Sequence, residues 1–160
     1  MVATGYKCPA YYCYLDSVET IRITEAKDEV TVDKCLNSVP PYPLKVLYAA
    51  GATLINGETL ICGGSYPKTK KCYQLNTNEW QDAPQLPSAR LGLKMATTDQ
   101  TTFISGGYDG SRIFNDFHQL KDGSWQPLTS LPIKVYFHCL VALNSTHLLN
   151  IGGESSGVSK

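Results

Sequence analysis

Apolar positions in this chain gather in short runs that end at glycine, proline or asparagine, and three of the runs end alike. Leu60-Ile61-Cys62, Phe103-Ile104-Ser105 and Leu149-Asn150-Ile151 each lead into a Gly-Gly pair, at 63–64, 106–107 and 152–153, so the pairs lie 43 and 46 residues apart. A turn signal precedes each run: Asn56-Gly57, Asp99-Gln100 and Asn144-Ser145. Ahead of the turns, further apolar runs start near Val46, Leu91 and Tyr136. Trp80 returns as Trp125 and Leu86-Pro87 as Leu131-Pro132, both after 45 residues. Landmarks of different chemistry that share one period mark an internal repeat.

Each unit predicts four short strands, here lettered a to d. In the second unit they fall at Leu91–Thr98, Thr102–Ser105, Asp116–Leu120 and Ser124–Leu128. Short strands with closely spaced turns make an antiparallel meander. One four-stranded sheet of this length cannot bury both faces alone, and stacking such sheets radially gives a β-propeller. The fold class is therefore all-β, a propeller segment of four-stranded antiparallel blades. Two blades are complete, at 46–84 and 91–128. Residues 18–35 supply strands c and d of an earlier blade, 136–153 supply strands a and b of a later one, and 1–17 are left unassigned. Closed propellers have roughly four to eight blades, so a chain this short leaves raw edges at both ends. A fragment of a longer chain is the favoured account. A short protein that closes by assembly is the second, as a homodimer completing one propeller. Pairing of the two half blades into a cramped three-bladed ring is the third and least favoured.

A Gly-Gly pair after an apolar strand, then Tyr73, then six residues and Trp80, then a proline-rich link to Arg90 and the next apolar strand, resembles the kelch repeat. The next unit matches with Gly106-Gly107, His118 in the Tyr73 position and Trp125. More closely, Val18–Ile23, Cys35, Tyr42-Pro43, Ile61-Cys62-Gly63-Gly64 and Lys71-Cys72-Tyr73 look like Cys-bearing kelch-like proteins of invertebrates. The resemblance implies a non-catalytic propeller that mediates protein–protein interaction. Trp80 and Trp125 read as packing between neighbouring blades.

Composition narrows the function classes. Fourteen basic residues balance fourteen acidic ones, so no global field draws the chain to nucleic acid or to a membrane surface. The longest uncharged apolar stretch, near Val46–Ile55, is too short to cross a bilayer, and Met1–Pro9 lacks the apolar centre of a signal peptide. Six cysteines include no C-x-x-C pair. Cys62 ends strand b and Cys72 begins strand c, so the meander places them side by side, and a disulfide there is expected. With the sequon at Asn144, this favours an extracellular compartment over the cytoplasm. The three histidines, His118, His138 and His147, fall on different strands without ligand spacing. No catalytic residue, metal site or cofactor is assigned. The alternative is a fragment of a secreted oxidase-like or carbohydrate-binding propeller.

Strand parity yields a candidate surface. In a meander the b–c and d–a loops emerge on one face and the a–b and c–d loops on the other. The first face gathers Tyr66, Lys68, Lys70, Arg90, Tyr108, Arg112, Lys134 and Tyr136; the second is rich in Glu and Asp. Tyr and Arg are favoured at interface hot spots, so the basic, Tyr-bearing face is expected to bind a protein or acidic peptide.

Overall fold

The computed structural model describes residues 18, 20–26, 29–36 and 39–155. The unassigned segment 1–17, with Cys8 and Cys13, lies outside them. Twelve strands form among the described residues, and no helix. They are β1 (Thr20–Ala26), β2 (Glu29–Leu36), β3 (Ala50–Thr53), β4 (Thr59–Cys62), β5 (Cys72–Asn76), β6 (Glu79–Ala83), β7 (Lys94–Thr97), β8 (Thr102–Ser105), β9 (Phe117–Lys121), β10 (Ser124–Pro127), β11 (Cys139–Ala142) and β12 (Leu148–Ile151).

The strands sort into two four-stranded antiparallel meanders, β3–β6 and β7–β10, and two hairpins, β1–β2 and β11–β12. The two hairpins belong to separate sheets, so among the described residues they do not pair into a three-bladed ring. β7 packs against both β3 and β11, so the two full blades and the last hairpin follow one another in chain order. Strand a of the second blade begins later than its apolar run, at Lys94 rather than Leu91. Leu91 instead makes an isolated bridge to Tyr108, and Gly92 turns the chain with a φ of 63°.

Strand alternation explains the core. On β4, Leu60 and Cys62 face the β7–β10 blade and join Leu86, Leu93, Met95, Ile104 and Trp125, while Ile61 faces the other way, toward Tyr42, Val46 and Tyr73. Central strands are thus buried on both faces, as stacked sheets require. Burying a side chain of this size contributes about 1.5–3 kcal/mol, so the interfaces between blades hold most of the stability. Each tryptophan also ties its blade to the linker before it. Trp80 Nε1 donates to the Pro40 carbonyl at 3.0 Å, and Trp125 Nε1 to that of Pro84 at 2.9 Å. Cys62 and Cys72 are register partners and are joined by a disulfide.

Candidate interaction face

The Gly-Gly pairs set where the b–c loops emerge. Gly63 and Gly106 have φ of 70° and 57°, and a Cβ on them would lie 2.7 Å from the Arg90 carbonyl oxygen and 2.2 Å from that of Val135. The close approach lets the second glycine donate across the joint: Gly64 N–H to Arg90 O and Gly107 N–H to Val135 O, both 2.8 Å. Successive b–c loops are thereby drawn to one end of the sheets beside the d–a linkers.

Arg90 corrects the sequence expectation. Its place in a d–a linker suggested a surface cation, yet it is 1 % exposed. Its guanidinium grips Asp116 through Nη1 at 2.5 Å and Nη2 at 2.8 Å, and also donates to Gly106 O and Ser88 Oγ. It lies 4.0 Å from the Phe114 ring centre, whose ring also meets Arg112 at 4.6 Å. Every polar edge of Arg90 is occupied, so it fastens the second blade and reaches no partner. Asp116, which sequence reasoning overlooked, is the other half of that fastening. Repeat alignment carries the signal, because Arg90 takes the register position of the buried Val46 and Val135.

The other candidates divide by what they touch. Lys68 is exposed and its Nζ donates to the Asp109 carbonyl, bridging neighbouring b–c loops. Arg112 is exposed but paired with the Asp109 carboxylate at 3.1 Å. Backbone donation from Arg112 and Ser111 holds Asp109 well below the usual carboxylate range. Tyr108 donates to Gly110 O at 2.6 Å, and its ring stands 5.4 Å from that of Tyr136. The Tyr136 hydroxyl donates to Glu154 at 2.5 Å, and that bond raises its pKa. Lys70 and Lys134 are exposed. Tyr66 is 64 % exposed and borders a pocket of about 330 Å³ lined also by Pro67, Lys68, Leu91, Tyr108 and Gly110. Asn144 is exposed on the β11–β12 turn, at the opposite end, with its Oδ1 accepting from Thr146 and His147 backbone N–H groups.

Two aromatics escaped the sequence reading. Tyr48 and Phe137 occupy the same repeat position as Gly92, all three with positive φ. Gly92 N–H donates to Tyr48 O at 3.0 Å and Phe137 N–H to Gly92 O at 2.8 Å, a backbone relay from blade to blade. Without a side chain at Gly92, the Tyr48 and Phe137 rings meet edge-on at 5.0 Å beside Tyr136. Their signal was the shared period, hidden because one of the three positions is glycine.

The histidines stay apart. His118 is buried where Tyr73 sits in the first blade, and burial lowers its pKa. His138 is buried with Nε2 2.7 Å from Ser105 Oγ, and burial, then Lys94, takes its pKa down to about 4. His147 is exposed beside Thr146. Among the described residues no three His, Cys, Asp or Glu side chains group as metal ligands.

Comparison with known proteins supports the kelch likeness over part of the chain. No family model matches the chain. Kelch domain-containing protein 10 of Xenopus laevis is 35 % identical over 77 residues, 42 % of this chain and 19 % of its own length. The human protein of the same name is 33 % identical over 78 residues, covering 42 % and 17 %. The solved structure of YjhT superposes with a TM-score of 0.59 at 24 % identity, over 68 % of this chain and 34 % of that one. Over the matched stretch the repeats are similar to those of kelch domain-containing proteins. The chain spans about a fifth of the length of the curated relatives it matches. It forms part of a propeller: two full blades between two hairpins.

Proposed function

We propose that this kelch segment is a non-catalytic interaction module whose b–c and d–a loop face takes an acidic peptide or an acidic segment of a protein. The observation that carries the reading is the pocket between two neighbouring b–c loops, with the Tyr66, Pro67 and Tyr108 rings as walls and Lys68 at its rim. The exposed cations Lys70 and Lys134 belong to the same face. Aromatic walls supply apolar contact and the lysines supply attraction and register. Arg90, buried on Asp116, has no part in it.

The test is binding of a fluorescein-labelled Glu-rich peptide containing one Tyr or Leu. The charge reversals Lys70→Glu and Lys134→Glu together should weaken it roughly tenfold or more and flatten its salt dependence. Affinity unchanged by the reversals overturns the acidic-ligand reading. The second reading, a piece of a carbohydrate-binding or oxidase-like secreted propeller, draws on the Cys62–Cys72 disulfide and on the exposed Tyr48 and Tyr66 rings, which could stack on sugars. Binding to a glycan array, abolished by Tyr66→Ala, would favour it.

A further inference from the structure

The turn between β11 and β12 carries the single Asn-x-Ser/Thr triplet of the sequence, Asn144-Ser145-Thr146. Such triplets recur by chance, and it is the surroundings that make one a site. Asn144 is exposed, and its Oδ1 accepts from the Thr146 N–H at 2.9 Å, the Thr146 hydroxyl at 3.0 Å and the His147 N–H at 2.9 Å. Leu143 N–H closes the same turn on His147 O at 2.9 Å. All the side-chain bonds run through the oxygen. Nδ2 donates to no group among the described residues.

Asn56, in the β3–β4 turn, shows the other outcome. Its Oδ1 likewise accepts from the N–H two residues on, at 3.1 Å. That residue is Glu58, whose carboxylate takes an Asn56 Nδ2–H at 2.6 Å and also holds Gln74. One kind of turn thus consumes the amide nitrogen at Asn56 and leaves it open at Asn144, because a carboxylate stands in one where a hydroxyl stands in the other. There is also room beside Asn144. It borders an open groove of about 330 Å³ between neighbouring a–b turns, with Thr97, Thr98 and Asp99 on one wall and Leu143 on the other. Asp99 is exposed, and its carboxylate can accept from sugar hydroxyls. Leu143, directly before Asn144, is 60 % exposed and offers an apolar surface for the face of a sugar ring.

We propose that Asn144 is the acceptor of an N-linked oligosaccharide, carried on Nδ2 at the end of the blades opposite the loop face. In the transfer, Nδ2 attacks C1 of the first sugar of a polyprenyl-pyrophosphate-linked oligosaccharide. The C1–Nδ2 bond forms as the C1–O bond breaks, the lipid pyrophosphate leaves with the bonding pair, and one amide proton passes to base. The product keeps the carbonyl oxygen, so the turn loses none of its hydrogen bonds. The sugar lies clear of the pocket at Tyr66 and Tyr108, and the inference stands without the acidic-peptide reading. It accords with the Cys62–Cys72 disulfide, since the compartment that attaches such glycans is oxidising.

The test is expression of the chain in insect cells behind a cleavable secretion leader. Peptide N-glycosidase should lower its apparent mass in one step, and in heavy-oxygen water the label should map as Asp at 144 and nowhere else. Asn144→Gln and Thr146→Ala should each abolish the shift, whereas Thr146→Ser keeps the hydroxyl and should retain it. An unmodified Asn144 overturns the proposal, as does a shift that survives the glycosidase or maps to another residue. Mapping uses the unsubstituted chain, from the medium or from the cell's membrane fraction, so it stands even where a variant fails to fold. Thermal unfolding gives an independent reading. The glycosylated chain should melt no lower than the same chain made without sugar in bacteria, and a lower midpoint would overturn the claim that the turn carries the glycan without loss. Peptide binding at the loop face is measured on the same material, so either idea can fail alone.

Discussion

The β3–β6 and β7–β10 blades share one backbone plan and fasten it with opposite chemistry. In the first, strands b and c are joined by the Cys62–Cys72 disulfide, and the linker residue Tyr42 meets Tyr73 and Trp80 edge-on at 5.5 and 5.1 Å. In the second, the register partners are Ser105 and Phe117. Phe117 stacks on Phe103, Ser105 reaches across to His138 of the next sheet, and the buried Arg90 holds Asp116. The first blade is closed by covalent and apolar contact, the second by polar groups that must find each other in a dry interior. The repeat thus prescribes positions and leaves the bonding at each position open. The two blades should accordingly fail under different stresses.

The largest effect tests what they share. Gly106→Ala drives a Cβ to 2.2 Å from the Val135 carbonyl oxygen at a φ of 57° and should destabilise by about 4 kcal/mol. Gly123→Ala, with nothing within 4 Å, should cost only about 1 kcal/mol in the same denaturant titration. Similar losses for the two would show that the blade joint is looser than it looks.

Next comes the polar fastening. Asp116→Ala leaves the Arg90 charge buried and unpaired, and should cost about 3 kcal/mol. Adding Arg90→Val, which copies Val46 and Val135, should restore most of it, since apolar replacement of a buried pair is often close to neutral. A double variant no more stable than the single one would mean that Arg90 acts through Gly106 and Ser88 instead.

Acid should act on the second blade. His138 has its folded pKa lowered to about 4, below the ordinary value of 6.5. The unfolded chain therefore gains a proton first as pH falls, and stability drops from about pH 6.5 to about 4, by at most roughly 3 kcal/mol. His138→Leu, which copies Leu93 at that repeat position, should flatten the slope in that window. An unchanged slope would assign it to His118, whose pKa is lowered in the same direction. Smallest is the covalent clip: Cys62→Ala with Cys72→Ala should cost about 2–3 kcal/mol for a loop of this length. Hydrogen exchange should rise in β3–β6 and stay unchanged in β7–β10.

Much of this was legible in the sequence, and the failures have physical reasons. The period, the strands near the Gly-Gly pairs and the adjacency of Cys62 and Cys72 all follow from short-range signals that repeat. The role of Arg90 did not, because a charge in a linker looks solvated until Asp116, 26 residues away, folds beneath it. Tyr48 and Phe137 were missed because their positive-φ turn carries no composition signature, and Gly92 breaks the aromatic series. Loop-face membership could be counted from strand parity. Whether a loop cation is free or engaged, as Arg112 is by Asp109, depends on side-chain geometry that parity does not contain.

The two indole hydrogen bonds carry one more consequence. Each tryptophan reaches back to a carbonyl 40 or 41 residues earlier, so the blade works as a gauge that checks the spacing between its last strand and the preceding linker. The stretch between those two points holds the a–b turn and the b–c loop. Residues gained or lost there need not disturb either anchor, provided the strands keep their register. Change in length and chemistry is therefore channelled into the loops, while the seam between blades keeps its pitch. A scaffold with this division can alter what its face recognises without re-solving how it folds.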